Sequence, residues 1–305
     1  MEPRKAIKAN YSEEMITSWT KPPSDNEETK LANSEKLVRE AIANDPFLGQ
    51  KSVTVFGQGS YANDTNVRLN SDVDINVRFD SVYYFKIPDG RSREEFGLNS
   101  PSDYTFAEYK NAVEQALVRK FGRNDVVRGN KCLTVKETPT RVQTDVVPTW
   151  LYKRFSESRS HDDGVKFLPG RGPEVINFPL QHIENGKAKN ARTQKRFKRL
   201  TRVFRKIRYK MKDDGLPVND GITSFLMECL VWNVPDSIFN DAESWTERLR
   251  NANAYLFRQT LTDEPCKEWG EVSELLYLFR GNRKWTRQMV NSYLMQMWTY
   301  MGFEA

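Results

Sequence analysis

Two aspartates spaced two apart, Asp72 and Asp74, are the residues in this sequence best suited to chemistry. They lie in Asp72-Val-Asp-Ile-Asn-Val77, where polar and apolar side chains alternate as on a half-buried strand. Both carboxylates therefore leave one face, and Val73 and Ile75 leave the other. Carboxylates held side by side repel each other and resist burial, so such a face needs water or a cation. Magnesium suits it, because that ion takes oxygen ligands, keeps several waters and binds through one or two carboxylates together with substrate phosphates. Asp145, after Arg141-Val-Gln-Thr and before Val146-Val-Pro148, offers a third carboxylate from another β-prone run. Three carboxylates can hold two metal ions, and Asp145 is also a candidate to accept the proton of an attacking hydroxyl. Upstream, Phe56-Gly-Gln-Gly-Ser-Tyr61 closes a β-prone run with glycines that permit close approach of a phosphate, and with a Ser60 hydroxyl able to bond its oxygens. Each signal alone has a plain structural alternative: an ordinary turn for Gly59-Ser60, a solvated face for the Asp pair, an exposed strand residue for Asp145.

The elements that must position these residues follow from periodicity. Ser24-Asp-Asn-Glu27 reads as a capping box opening a helix with an apolar stripe of Leu31, Leu37, Val38 and Ile42, running to about Asn44. Strands are expected at Ser52 to Phe56 and Asp72 to Phe79, bracketing the Gly-Ser turn. A polar insertion from about Asp89 to Asp103 precedes a helix from about Thr105 to Phe121. Short strands at Cys132 to Lys136, Arg141 to Val147 and Val165 to Leu168 follow, the last two separated by a polar segment around His161. Beyond Pro179 helical patterns dominate: a long helix carrying Phe197, Leu200, Phe204, Ile207 and Met211, then helices at Ile222 to Trp232, Trp245 to Leu261, Val272 to Phe279 and Trp285 to Met301. The expected class is α+β: residues 1–180 form an N-terminal helix and a mixed-sheet core, residues 181–305 form a helical domain, and the active site occupies the cleft between them.

Composition narrows the chemistry. Lys and Arg exceed Asp and Glu by 47 to 41, and thirteen of the basic residues fall between Lys187 and Lys212 with no acidic residue among them. Lys198, Arg202 and Arg205 share one helix face at i, i+4 and i+7, so Lys198 and Arg202 are the candidates for gripping a triphosphate, against the alternative of a solvated basic face. Nucleic-acid contact is the other reading of such a stretch, but a net charge of +6 argues against strong constitutive binding. Asn177, Asn190 and Thr193 carry the donors and acceptors a base edge needs, Asn190 being preferred, while each could equally cap a loop. Tyr61 or Tyr209 could stack on a base or belong to the core. Gly170-Arg-Gly172-Pro lacks the Gly-Lys-Ser/Thr ending of a P-loop and reads as a plain loop. Cys132, Cys229 and Cys266 have no C-x-x-C spacing, and with only His161 and His182 beside them a zinc cluster is not expected. No apolar run is long enough to span a bilayer and the N-terminus lacks a signal-type apolar core, so the expectation is a cytoplasmic protein.

Taken in order, Gly59-Ser60, Asp72-Val-Asp74-Ile and Asp145 resemble the active-site pattern of the polymerase-β-like nucleotidyltransferases. The likeness narrows with Gly57-Gln-Gly-Ser-Tyr61, Asp72 to Val77, Thr144-Asp-Val-Val-Pro148 and Ile222-Thr-Ser-Phe-Leu-Met-Glu-Cys-Leu-Val231, which resemble the bacterial CD-NTases, relatives of cyclic GMP-AMP synthase and oligoadenylate synthase. The stretch from Ile176-Asn-Phe-Pro to Phe197-Lys-Arg-Leu is similar to their E clade. Thr144 before the third Asp, and the polar Gln58, depart from the broad superfamily pattern but not from the CD-NTase likeness. The resemblance implies a two-lobed fold with Asp72, Asp74 and Asp145 binding two Mg²⁺ ions, for which Mn²⁺ could substitute. It also implies nucleotide contacts from Gln58, Gly59 and Ser60. The implied reaction is 3′-hydroxyl attack on the α-phosphate of a nucleoside triphosphate, with pyrophosphate release and closure of a cyclic dinucleotide. ATP, UTP or another pyrimidine nucleotide are the implied substrates, an antiphage effector that senses the product is the implied partner, and neither a membrane nor a nucleic acid is required. Two alternatives stay open at this point: a transferase that adds a nucleotide to RNA, protein or a small acceptor, and a binding module that keeps the fold without the chemistry.

Overall fold

The computed structural model describes residues 9–22, 27–67, 72–98, 100–139, 141–281 and 283–303. They divide into two compact units, one holding the described residues of 24–62 and 68–180, the other those of 1–23, Asn63–Val67 and Gln181–Ala305. This differs from two contiguous stretches meeting at 180/181. The N-terminal segment and the short piece at 63–67 group with the C-terminal helices instead.

The first unit is a seven-stranded mixed sheet under helices. Strands β1 (Val53–Gln58), β2 (Val73–Lys86), β3 (Val126–Arg128), β4 (Leu133–Val135), β5 (Thr144–Phe155), β6 (His161–Phe167) and β7 (Val175–Asn177) are arranged as β1-β2-β5-β4-β3, with β6 pairing β5 and β7 pairing β6. The β2/β5 pair is parallel and every other pair antiparallel. Helices α2 (Glu27–Ala43) and α4 (Phe106–Phe121) supply Val38, Ile42, Tyr109, Val113 and Leu117 to a core that includes Val73, Ile75, Val77 and Phe79, the apolar face of β2. Helix α4 starts where the pattern expects. Thr105 accepts from the Glu108 amide while Glu108 reaches back to the Thr105 amide, so two otherwise orphaned donors are satisfied. The capping box expected at Ser24 lies outside the described residues. Strands β2 and β5 run longer than their sequence patterns, because the alternation blurs after a register shift between Phe79 and Tyr83. The polar segment around His161 is strand rather than connector. His161, Asp162 and Asp163 complete the ladder against Phe155, Arg154 and Lys153, and partial exposure of that stretch tolerates their polarity.

The second unit is helical: α1 (Glu13–Trp19), most of α5 (Pro179–Arg192), α6 (Arg196–Asp213), α7 (Ser224–Trp232), α8 (Asp236–Asn240), α9 (Trp245–Gln259) and α10 (Arg287–Met301). Its core joins Ile16 and Trp19 to Phe197, Leu200, Phe204, Ile207 and Met211 of α6 and to the apolar faces of α7, α9 and α10. The helix expected at Val272 to Phe279 is absent. In its place Gly270 bridges Tyr277, the Glu271 amide donates to the Leu276 carbonyl, and Glu274 adopts a left-handed φ of 60° that no helix continues through. Val272 and Leu278 are still buried, so the apolar spacing reported burial but not the backbone that delivers it. No described helix is long and apolar enough to cross a membrane.

Candidate active site

The parallel register of β2 and β5 places Asp74 directly beside Asp145, and β1 places Gln58 opposite Asp74 from the other side. One residue before β2, exposed Asp72 accepts a hydrogen bond from Gln143 Nε2 at 2.7 Å, and Asp145 accepts one from Thr134 Oγ1 on β4 at 2.6 Å. Asn76, fully buried on the same face as Asp74, donates to Gln58 Oε1 at 3.1 Å and accepts from Thr149 Oγ1 at 2.7 Å, tying β1, β2 and β5 together beneath the acids. Gly59 opens the four-residue helix α3 (Gly59–Ala62) with φ of 69°. A Cβ at Gly59 would lie 2.2 Å from Asp74 Oδ2, so no side chain fits between this turn and the acid. Ser60 follows, half-buried, while Tyr61 is packed into the core rather than offered to a base.

The acids are electrostatically frustrated. Burial first, and then Asp145 and Asp72, push the Asp74 carboxyl up to about 7. Asp72 is raised in the same direction by burial and Asp145, partly relieved by Gln143. None of the three forms an ion pair with a described Lys, Arg or His. Among the described residues no group of three or more acids, histidines or cysteines closes around a metal position, and Gln143 and Thr134 each hold one of the carboxylates. A set of oxygen donors with uncompensated negative charge fits a hard divalent cation that keeps part of its water shell.

The remaining expected contacts, Asn177 apart, belong to the helical unit and serve mostly internal ends. Arg202 donates through Nε to the Thr20 carbonyl at 2.7 Å and through Nη1 to the Asp64 carbonyl and carboxylate at 2.5 and 3.0 Å. Asn190 Oδ1 accepts from the Lys198 amide at 3.2 Å, capping the first turn of α6, whose own N-cap, Lys195, has no side-chain hydrogen bond to it. Thr193 bridges the Lys189 carbonyl and the Phe197 amide, and Asn177 lies exposed in β7. Most of the basic stretch is likewise occupied: Lys189 holds the Trp232 and Val234 carbonyls, Arg192 pairs with Asp236, and Lys212 pairs with Asp220. Among its buried members Lys198 is the exception. Only 8% exposed, it makes neither a hydrogen bond nor an ion pair through its ammonium to a described residue, and burial lowers its pKa despite Asp64 and Glu228.

The helical-domain family model for cGAS/DncV-like nucleotidyltransferases matches residues 184–302. The chain is 59% identical, over 97% of its length and the whole of the relative, to a cyclic dipyrimidine nucleotide synthase, CdnE, of Cecembia lonarensis. The chain belongs to the CD-NTase family, in its E clade. It is 34% identical to a cyclic dipurine nucleotide synthase of Elizabethkingia meningoseptica, over 97% of this chain and 100% of that one. The E. meningoseptica CdnE structure with GTP and Apcpp superposes with a TM-score of 0.79, covering 96% of this chain and 100% of that one. The Rhodothermus marinus CdnE c-UMP-AMP synthase with Apcpp and Upnpp gives 0.82 at 28% identity, covering 97% and 99%. The α+β architecture and the helical C-terminal domain are those of the family, and this CD-NTase is a nucleotidyltransferase.

Two features of the helical unit escaped the sequence reading. Phe225 is exposed at the start of α7 and stacks on Trp285 with ring centroids 5.8 Å apart and an interplanar angle of 21°, an aromatic face held from behind. Glu228, in the otherwise apolar Ser224-Phe-Leu-Met-Glu-Cys-Leu-Val-Trp232, is buried with charged partners. A lone acid inside an apolar helix was the available signal, since a buried charge requires a partner.

Proposed function

We propose that this CD-NTase joins two nucleoside triphosphates into a cyclic dinucleotide that contains at least one pyrimidine, by Mg²⁺-dependent attack of a 3′-hydroxyl on an α-phosphate with release of pyrophosphate. The observation that carries the reading is the register that sets Asp74 beside Asp145 under a side-chain-free Gly59. The pyrimidine rests on the 59% identity to a cyclic dipyrimidine synthase across nearly the whole chain. Asp72, Asp74 and Asp145 are the residues to hold the metal, which when bound supplies positive charge to the triphosphate and lowers the pKa of the attacking hydroxyl. Gly59 lets the backbone of the turn lie close against Asp74, and Ser60 offers a hydroxyl to a phosphate. Asp145, held at Oδ1 by Thr134, is the carboxylate proposed to accept the proton of the attacking hydroxyl. Gln58, its carbonyl oxygen engaged by Asn76, presents its amide nitrogen as a donor to substrate oxygens. Lys198, a buried lysine of α6 whose ammonium has no described partner, is the proposed phosphate contact. The product would serve as a signal in antiphage defence, read by a separate effector.

The test is a reaction of purified protein with each labelled triphosphate and with all four together, in Mg²⁺ or Mn²⁺. A phosphatase-resistant product containing labelled pyrimidine, with matching pyrophosphate, is expected. No pyrophosphate with any mixture, or incorporation only when an RNA, protein or small acceptor is added, would sink the reading.

A further inference from the structure

The Ile222 to Val231 stretch contains an acid that the proposed chemistry does not use. Glu228 is 2% exposed and carries three contacts: Oε1 with His182 Nε2 at 3.1 Å, and Oε2 accepting from Arg205 Nη2 at 2.8 Å and from Thr65 Oγ1 at 3.1 Å. Arg205 also donates through Nη1 to the Thr65 carbonyl at 2.9 Å and through Nε to the Ser224 carbonyl at 3.1 Å. One turn earlier on α6, Arg202 holds the carbonyl and carboxylate of Asp64, whose φ is 52°. Burial would raise the Glu228 pKa, but His182, Arg205 and Thr65 outweigh it and keep the carboxyl ionised. All of these groups lie in the helical unit, where Asn63–Val67 forms a strap with Asn63, Thr65, Asn66 and Val67 buried.

A buried ion pair is a poor source of stability, because apolar residues of similar volume commonly do as well or better. Here two guanidiniums and a carboxylate converge on the backbone and hydroxyl of two consecutive strap residues, an arrangement that fixes position. The strap begins three residues after Ser60 and ends five before Asp72, so it is the covalent tie between the phosphate turn and the metal-binding strand. We infer that Glu228, Arg205 and Arg202 are positioning residues for nucleotidyl transfer, acting through the strap on the Gly59-Ser60 turn that runs directly into it. The inference rests on the proposed function for its kinetic consequence but not for the hold on the strap itself.

Thr65→Val removes the hydroxyl held by Glu228 at nearly constant shape, Thr65→Ser restores it, and Leu256→Ala in α9, a core residue whose apolar side chain makes none of these hydrogen bonds, is a destabilised control. Losing one hydrogen bond to a charged group should lower kcat/KM for the triphosphates about tenfold in Thr65→Val, mainly through KM, and leave Thr65→Ser within about twofold of the parent. Leu256→Ala, assayed well below its unfolding temperature, should keep the parental KM. Amide hydrogen exchange across residues 59–67 should quicken in Thr65→Val but not in Thr65→Ser. Unchanged exchange in Thr65→Val overturns the inference, whether or not the parent has synthase activity. So does unchanged kinetics in Thr65→Val when the parent is active, or the same rise in KM in Leu256→Ala. A parent that makes no product while strap exchange responds as expected defeats the proposed reaction and leaves the strap's anchoring standing.

Discussion

Gly59 and Asp74 constrain each other. The left-handed φ at residue 59 and the acid oxygen lying where a Cβ would sit make Gly59→Ala doubly unfavourable. The backbone alone should cost about 1–2 kcal/mol of stability. Displacement of Asp74 should lower pyrophosphate release far more than that stability loss accounts for, which thermal unfolding and a coupled phosphate assay on the same preparation would compare. Asp74→Asn should remove about a hundredfold or more of the rate while leaving the fold intact, checked by product formation beside circular dichroism. Asp74 also sets a pH dependence. Its carboxyl titrates at about 7 in the metal-free fold against an ordinary value of 3.8, so between those limits the folded chain keeps a proton that the unfolded chain has lost. Unfolding free energy should therefore fall as pH rises from about 4 to 7 in chelator, and Mg²⁺ should reverse the fall. Denaturant titrations at pH 5 and pH 8 with and without Mg²⁺ measure this, and equal slopes in both conditions would argue against the three acids as the metal site. The acids and the glycine were legible in sequence because period-2 spacing and side-chain type are local properties. Arg202 was not, since helical spacing identifies a face but says nothing of the Thr20 and Asp64 carbonyls that occupy it.

At the level of elements, caps and apolar periodicity carried most of the reading. Helices α4, α6, α7, α9 and α10 fall close to where their stripes place them, because a wide apolar face is a strong constraint on a long helix. The short pieces α1, α8, β3 and β7 were not seen, as three to seven residues hold too little periodicity to stand out. The absent helix at Val272 to Phe279 shows the converse, a helical spacing of apolar residues satisfied by a turn. Asn190 belongs at this scale too. If its carbonyl oxygen caps α6, Asn190→Ala should lower stability by about 1 kcal/mol, and Asn190→Asp, which keeps the acceptor, should not. Base preference should be the same in both variants. A changed nucleotide preference in Asn190→Asp with stability unaltered would return Asn190 to the base pocket.

Across the whole molecule, chain order and spatial grouping part company. Helix α1 packs Ile16 and Trp19 into the core of the helical unit, and Glu13 accepts from the amides of Trp245 and Thr246 at the start of α9. Ile16→Ala should cost about 2–5 kcal/mol, read as a lower guanidinium midpoint, although residue 16 is far in sequence from the helices it stabilises. That grouping was hidden because no local pattern says which distant surface an amphipathic turn will cover. It also has a consequence for biosynthesis. Glu13 waits for partners 232 and 233 residues downstream, and Thr65 for one 163 residues downstream. On a ribosome the sheet residues emerge complete while α1 still lacks its seat and the strap its anchors. The nascent chain must carry Ile16 and Trp19 uncovered until the last third of the protein has been translated, which makes that interval the point at which chaperone engagement has the most to protect.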